Sequence, residues 1–332
     1  MAKQEKPKSF AEAVKALEDQ GISVIKVADD PKLSLSKIPV IPSGSLGLNY
    51  ALGAGGYPRG SIVELFGNPQ GGKTMLASLA IAEAQKLGGT AVVLDLEHSF
   101  NKQYASDLGV KVDDVNITYP KVGEDVFTII ENMVAHVDIL VVDSTAAMIP
   151  LAEREADIKD VQMGMHARLM SKGLRRIMDP VGNSNAVVIF INQLRTNLQI
   201  KYGDPNITTG GKGLSFYAVQ RVSVSRPGGE DFIYRDGFDQ VVGGRVRAKV
   251  VKNKVGMPLR ECEFDLYFNR GVDQLSELPH LAWVTQVVTL EGKTYKYGDR
   301  KWVGMPDFER AVKKDPELAK QLLDEILAKV NA

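Results

Sequence analysis

Residues 67–74 read Gly67-Asn68-Pro69-Gln70-Gly71-Gly72-Lys73-Thr74, and the fold of the chain hinges on this octapeptide. It fits the spacing G-x-x-x-x-G-K-[ST], with an apolar strand pattern over 61–66 before it and a helical pattern over 74–87 after it. A phosphate chain carries several negative charges. A strand–loop–helix turn offers it unpaired main-chain N–H groups at the positive end of a helix dipole. The glycines let the backbone come close, Lys73 reaches the terminal phosphates, and Thr74 gives a hydroxyl to Mg2+. Asn68, Pro69 and Gln70 complete the loop and Met75 continues it into the helix, so the segment predicts a nucleoside triphosphate site.

Around it the pattern alternates. Strands are expected at 90–96, 138–143, 186–192 and 219–225, and helices at 125–136 and 163–178. The runs ILVVD and AVVIFIN are apolar on both faces, as in a parallel sheet covered by helices, which places the core in the α/β class. Asp143 ends the first of these runs and suits a second Mg2+ ligand. Glu97 ends the strand after the octapeptide's helix, where a carboxylate can take a proton from an attacking water. Gln193 ends AVVIFIN at the same edge. Strand ends often carry acids and amides as turn formers; their arrangement beside the octapeptide is what predicts triphosphate hydrolysis.

The chain has 332 residues, 44% of them hydrophobic, which allows a full core and roughly two domains. No apolar run nears the ~18 residues that span a bilayer. The start, MAKQEKPKSFAEAV, lacks the apolar stretch of a secretory signal. A single cysteine, Cys262, excludes an internal disulfide and a Cys-based zinc site, so a cytoplasmic protein with no membrane partner is expected. With 41 Lys+Arg against 41 Asp+Glu the chain is not a wholly basic nucleic-acid binder, yet 245–260 holds six basic residues and no acid.

Ser9 followed by Glu12 reads as a capping box, with Phe10, Val14 and Leu17 at helical spacing up to Gly21. A short strand over 22–27 and a proline-containing linker over 29–43 follow. Later strands are expected at 245–254 and 260–268. Beyond them lies a small α+β region ending in a helix over 316–330. The domains expected are thus 1–43, an N-terminal helix and strand with linker; 44–268, the ATPase core; and 269–332, a small C-terminal α+β domain.

Several stretches resemble the bacterial RecA recombinase family: Ser43-Gly44-Ser45-Leu46 through Ala51-Leu52-Gly53-Ala54-Gly55-Gly56, then Phe190-Ile191-Asn192-Gln193, Thr208-Thr209-Gly210-Gly211 and Val250-Val251-Lys252-Asn253-Lys254. The matches run from about 44 to 268 and weaken at both ends. The resemblance implies a RecA-type P-loop ATPase core with a mostly parallel sheet and ATP as the nucleotide. It also implies a helical homo-filament on single-stranded DNA that pairs homologous duplex DNA and exchanges strands, in recombination and repair.

By the same resemblance Glu97 is the catalytic glutamate, Gln193 the γ-phosphate sensor, and Tyr104 the ring stacked on adenine. Lys252 and Lys254 match a pair that reaches the neighbouring subunit's ATP; read alone they are a solvated strand face. Phe216 matches an interface aromatic. Two segments resemble DNA-binding loops. Residues 153–164 carry Arg154 and Met163. Residues 194–211 carry Arg195 and Lys201 for phosphates, Leu198, Ile200 and Tyr202 for bases, and Gly210 and Gly211. Arg168, Lys172, Arg175 and Arg176 fall at i, i+4, i+7 and i+8, one basic helix stripe behind the first loop. The Gln70-Gly71-Gly72 loop variant and a C-terminal stretch with no run of acids depart from the family, and a phage or mobile-element member is one explanation. The alternatives are a RecA-fold ring helicase or DNA motor, and a filament that acts mainly as a regulatory co-factor.

Overall fold

The computed structural model describes residues 9–26, 38–157, 164–196, 206–227 and 232–331. Residues 1–39 and 40–332 form two separate units. In the first, helix α1 (Phe10–Glu18) starts at the expected Ser9 N-cap, with the Glu12 N–H donating to Ser9 Oγ at 3.2 Å. None of its residues is buried, and Phe10 is 81% exposed. Residues 22–26 are not a strand, against expectation. A strand exists only as part of a ladder, and among the described residues this stretch has no partner.

The second unit opens with β1 (Val40–Ile41), α2 (Leu46–Leu52) and β2 (Tyr57–Pro58), and then alternates. The order is β3 (Ser61–Gly67), α3 (Lys73–Lys86), β4 (Ala91–Asp95), α4 (Lys102–Asp107), β5 (Val115–Thr118), α5 (Gly123–Met133), β6 (Ile139–Asp143), α6 (Leu151–Glu155), α7 (Met165–Gly182) and β7 (Val187–Thr196). There follow β8 (Asn206–Thr208), α8 (Gly213–Tyr217), β9 (Gln220–Ser225), β10 (Phe232–Tyr234), β11 (Val241–Asn253), β12 (Glu261–Tyr267) and β13 (Gly271–Val272).

β1 and β2 pair by themselves, and the other strands form one sheet of order β13-β12-β11-β9-β3-β7-β6-β4-β5, parallel from β9 to β5 and antiparallel beyond, with β10 added on β11 and β8 on β7. Period-2 alternation then splits the core. Val63, Val141 and Ile189 point to the α3 side, while their neighbours Ile62, Leu140 and Val188 point to the side of α5 and α7. Parallel strands force every carboxyl end to one edge, so Gly67 lies level with Gln193, and Asp95 with Asp143.

The second predicted loop is partly a hairpin. β7 runs on to Thr196 and pairs antiparallel with β8, Leu194 opposite Thr208 and Thr196 opposite Asn206.

The remaining elements are α9 (Gln274–Val284), the three-stranded sheet β14 (Thr289–Glu291), β15 (Thr294–Tyr297) and β16 (Arg300–Val303), α10 (Met305–Lys314) and α11 (Pro316–Asn331). They close on a cluster of their own around Phe308, Leu322 and Ile326. Glu277 of α9 is buried against α2, accepting from the Ser45 hydroxyl at 2.5 Å and the Gly47 N–H at 2.9 Å.

Candidate nucleotide and nucleic-acid site

The octapeptide lies between β3 and α3, as its spacing predicts. Gly72 is the N-cap of α3 at φ 101°, a left-handed conformation that favours glycine, and no side chain caps the helix. The first-turn N–H groups therefore face the loop, ready for an anion. Glycine at 67 is a matter of space: a Cβ there would stand 2.0 Å from the Val224 carbonyl oxygen. Lys73 is buried, and its ammonium donates to the Gly67 and Asn68 carbonyls at 3.1 and 2.7 Å. Burial lowers its pKa, against the opposing pull of Asp143 and Glu97.

Thr74 Oγ1 donates to Asp143 Oδ2 at 2.9 Å. Burial pushes the Asp143 carboxyl up to about 6, with Glu97 and Asp95 adding to the rise. A buried carboxylate among other acids, beside a hydroxyl, fits a divalent cation. Among the described residues no group of three His, Cys, Asp or Glu forms a metal cage. Mg2+ needs only one or two protein ligands and completes its shell with phosphate and water, so the Thr74 hydroxyl and Asp143 carboxylate fit it.

Asp95 holds the turn that presents Glu97. Its carboxylate accepts from the N–H groups of Glu97, Ser99 and Phe100 at 3.2, 3.2 and 3.0 Å. The Glu97 carboxylate accepts from the Ser144 hydroxyl, and also from Gln193 Nε2 at 3.2 Å. The two strand-end residues singled out for hydrolysis and phosphate sensing, 96 positions apart, thus touch.

A cleft of about 440 Å³ opens over Gln70, Gly72, Lys73 and Thr74, with Tyr104 and Phe268 on its wall. Burial raises the Tyr104 hydroxyl pKa to about 12. Asn101 caps α4, accepting from the Tyr104 N–H at 3.0 Å. Phe268, Arg226 and Phe232 line the same cleft and have no motif to mark them; the Arg226 guanidinium lies 4.7 Å from the Phe232 ring centre.

Lys252 and Lys254 stand elsewhere. Lys252 pairs in register with Arg221, three positions before Val224 at the loop, and its ammonium donates to the Ser215 and Phe216 carbonyls at 2.7 and 2.8 Å. Burial and the nearby cations Lys254 and Arg221 lower its pKa. Lys254 is exposed, and so is Phe216, at 67%.

On the expected DNA face, Arg168, Lys172, Arg175 and Arg176 are all exposed along α7, with Arg176 paired to Glu131. Arg168, Lys172 and Arg176 rim a cleft of about 480 Å³ whose floor includes Phe127 and Leu169. Arg154 donates to the Lys121 carbonyl at 3.0 Å, and Arg195 is exposed on β7. Gly210 and Gly211, at φ 81° and 72°, press against α7: a Cβ would meet Met170 Cγ at 2.9 Å and Ala167 Cβ at 3.0 Å. Met163, Leu198, Ile200, Lys201 and Tyr202 lie outside the described residues.

The RecA N-terminal domain model matches residues 8–273 of the chain. Protein RecA of Bacteroides thetaiotaomicron is 42% identical over 330 residues, 97% of each chain. Protein RecA of Thermus thermophilus is 41% identical over 330 residues, 98% of this chain and 94% of its own. A crystal structure of the RadB recombinase superposes with a TM-score of 0.53 at 18% identity, covering 70% of this chain and 98% of that one, a likeness of fold.

Proposed function

This chain belongs to the RecA family, and we propose that its ATPase chemistry is carried by the residues gathered at the carboxyl edge of the parallel strands. As a member it is an ATP-dependent recombinase and a DNA-dependent ATPase. Gly67 to Met75 cradle the phosphates, Lys73 draws the terminal oxygens, and Tyr104 stacks on the base. Thr74 and Asp143 would hold Mg2+, which would neutralise charge developing on the phosphate chain.

Glu97 orients a water and takes its proton as the water oxygen bonds to the γ-phosphorus. The bond from that phosphorus to the β–γ bridging oxygen breaks, leaving ADP and inorganic phosphate. Gln193 moves from Glu97 to the γ-phosphate and so reports the nucleotide to the hairpin 194–208. Lys252 and Lys254 act in trans on a neighbour's nucleotide, which ties hydrolysis to assembly.

The filament partner is a second copy of the chain, and the apolar residues of α1, unburied in their own unit, dock on it. Single-stranded DNA lies along Arg154, Arg168, Lys172, Arg175, Arg176 and Arg195 with Gly210 and Gly211, and Met163, Leu198, Ile200, Lys201 and Tyr202, outside the described residues, add contacts to it. Residues 269–332 form the small C-terminal domain. No described helix is long and apolar enough to cross a membrane, and we place the protein in the cytoplasm.

The single observation that carries this reading is the meeting of Glu97 with Gln193 beside the Thr74–Asp143 pair. The test is ATP hydrolysis and strand exchange with and without single-stranded DNA. Wild type should hydrolyse faster with DNA, Lys73→Ala should lose nucleotide, and Glu97→Gln should bind ATP without turning it over. No rise on adding DNA, or equal turnover by Glu97→Gln, would overturn the reading.

A further inference from the structure

Behind the catalytic edge lies a largely buried polar chain that none of the site residues accounts for. Glu64, in the middle of β3, is 0% exposed. One of its oxygens accepts from Arg221 Nε and the other from Asn192 Nδ2 at 2.8 Å. Asn192, also 0% exposed, precedes Gln193 on β7. Its Oδ1 accepts at once from the Thr209 hydroxyl at 2.5 Å and from the Gln193 main-chain N–H at 2.8 Å. Its Nδ2 donates in addition to the Thr209 carbonyl at 3.1 Å.

A buried carboxylate is costly unless paired and hydrogen-bonded, and among the described residues Glu64 meets both conditions through Arg221 and Asn192. Its charge therefore pins the Asn192 amide in one orientation, with Nδ2 toward Glu64 and Oδ1 toward Thr209 and Gln193. One amide oxygen then binds both the residue that meets Glu97 and the residue where the hairpin 194–208 rejoins the core. Neither the Gln193 main chain nor the Thr209 hydroxyl can shift without breaking or remaking a bond to that oxygen. At the far end, Arg221 stacks over Phe66 at 4.7 Å and is the register partner of Lys252.

We propose that Asn192, oriented by the buried Glu64, is the positioning residue through which nucleic acid on the hairpin 194–208 and nucleotide at the catalytic edge sense one another. It touches neither ligand. The inference rests on the DNA-dependent hydrolysis described above and names the device that makes it DNA-dependent.

The test exchanges charge and amide between the two positions. Asn192→Asp keeps both acceptor contacts but faces the Glu64 carboxylate with another. The double variant Glu64→Gln/Asn192→Asp restores a donor–acceptor pair and the net charge. The readouts are ATP turnover without DNA, turnover with saturating single-stranded DNA, and nucleotide affinity. Site-to-site coupling is typically about 5- to 150-fold, so stimulation by DNA should fall about tenfold or more in Asn192→Asp. DNA-free turnover and nucleotide affinity should stay within about twofold, and the double variant should recover most of the stimulation.

Thr209→Val, which removes one hydroxyl from the same oxygen, should lower stimulation in the same direction and serves if Asn192→Asp does not fold. Undiminished stimulation in the folded variants, or equal losses with and without DNA that the double variant does not repair, would overturn the proposal. If wild type itself shows no stimulation, the DNA-dependent ATPase reading fails first and takes this one with it.

Discussion

The Lys252 ammonium donates to the Phe216 carbonyl at 2.8 Å, which ties the expected trans-acting cation to the helix that displays an exposed aromatic ring. The two are therefore expected to enter a subunit interface as one piece. Phe216→Ala should raise the protein concentration needed for half-maximal DNA-dependent hydrolysis by about 30-fold, the effect of losing an interface anchor of about 2 kcal/mol. Its thermal stability should stay within about 0.5 kcal/mol of wild type, because the ring is not part of the core. A concentration series of ATPase rates, read beside thermal melts, checks both.

Thr74→Val keeps the shape of Thr74 and removes the hydroxyl bonded to Asp143. Nucleotide binding in Mg2+ should weaken about tenfold or more, while binding in EDTA should change little. Because burial pushes Asp143 up to about 6, Mg2+-dependent binding in wild type should weaken as the pH drops through 6, where the carboxyl takes up its proton. Titrations with a fluorescent nucleotide at several pH values give both results.

Glu277 is pushed up to about 7 by burial, from an ordinary 4.5, only partly offset by its bonds to Ser45, Gly47 and Leu46. The folded chain therefore holds this proton more tightly than the unfolded chain. The resulting stability is fully present below about pH 4.5 and is lost as the pH rises toward 7. The size is on the order of 3 kcal/mol, at about 1.36 kcal/mol per pKa unit. Glu277→Gln should flatten that slope in denaturant unfolding measured across this range.

Gly67→Ala should abolish nucleotide binding while the sheet persists. A methyl 2.0 Å from the Val224 carbonyl oxygen forces the loop off β9, and the main-chain N–H groups lose their common focus. Calorimetric ATP binding and far-ultraviolet circular dichroism separate the two effects.

Phe308 is fully buried and stacks on Trp302 and Tyr295 with ring centres 4.6 and 5.7 Å apart. Phe308→Ala should cost about 3–5 kcal/mol. If 269–332 is a domain of its own, the loss should fall on one early unfolding transition and leave nucleotide affinity unchanged. Calorimetric melting with and without nucleotide tests this.

The proposed catalytic edge is legible in the sequence because parallel strands deliver their carboxyl ends to one side. Asp143, Glu97 and Gln193 each end an apolar run, and the octapeptide sets where that edge is. The strand pattern continues into residues 194–196, but their Gly- and Asn-containing surroundings read as loop, and only the ladder with 206–208 makes them a strand. The strand expected over 22–27 fails in the opposite way: its apolar residues suit a strand, and among the described residues no partner meets them. Asn192 and Thr209 stand in stretches that resemble the family and Glu64 is one acid inside an apolar run, but nothing in their spacing shows that the three are linked.

The sequence by itself determined the triphosphate loop, the α/β alternation, the strand-end residues and, through its ordered motifs, the family. These depend on short spacings that local geometry converts directly into chemistry. Tertiary structure alone decided which distant groups touch: Gln193 with Glu97, Thr74 with Asp143, and Asn192 with both Glu64 and Thr209. Side-chain hydrogen bonds act over about 3 Å. Partners such as Thr74 and Asp143, 69 positions apart, or Glu64 and Asn192, 128 apart, come within that distance only once the sheet order and register are set.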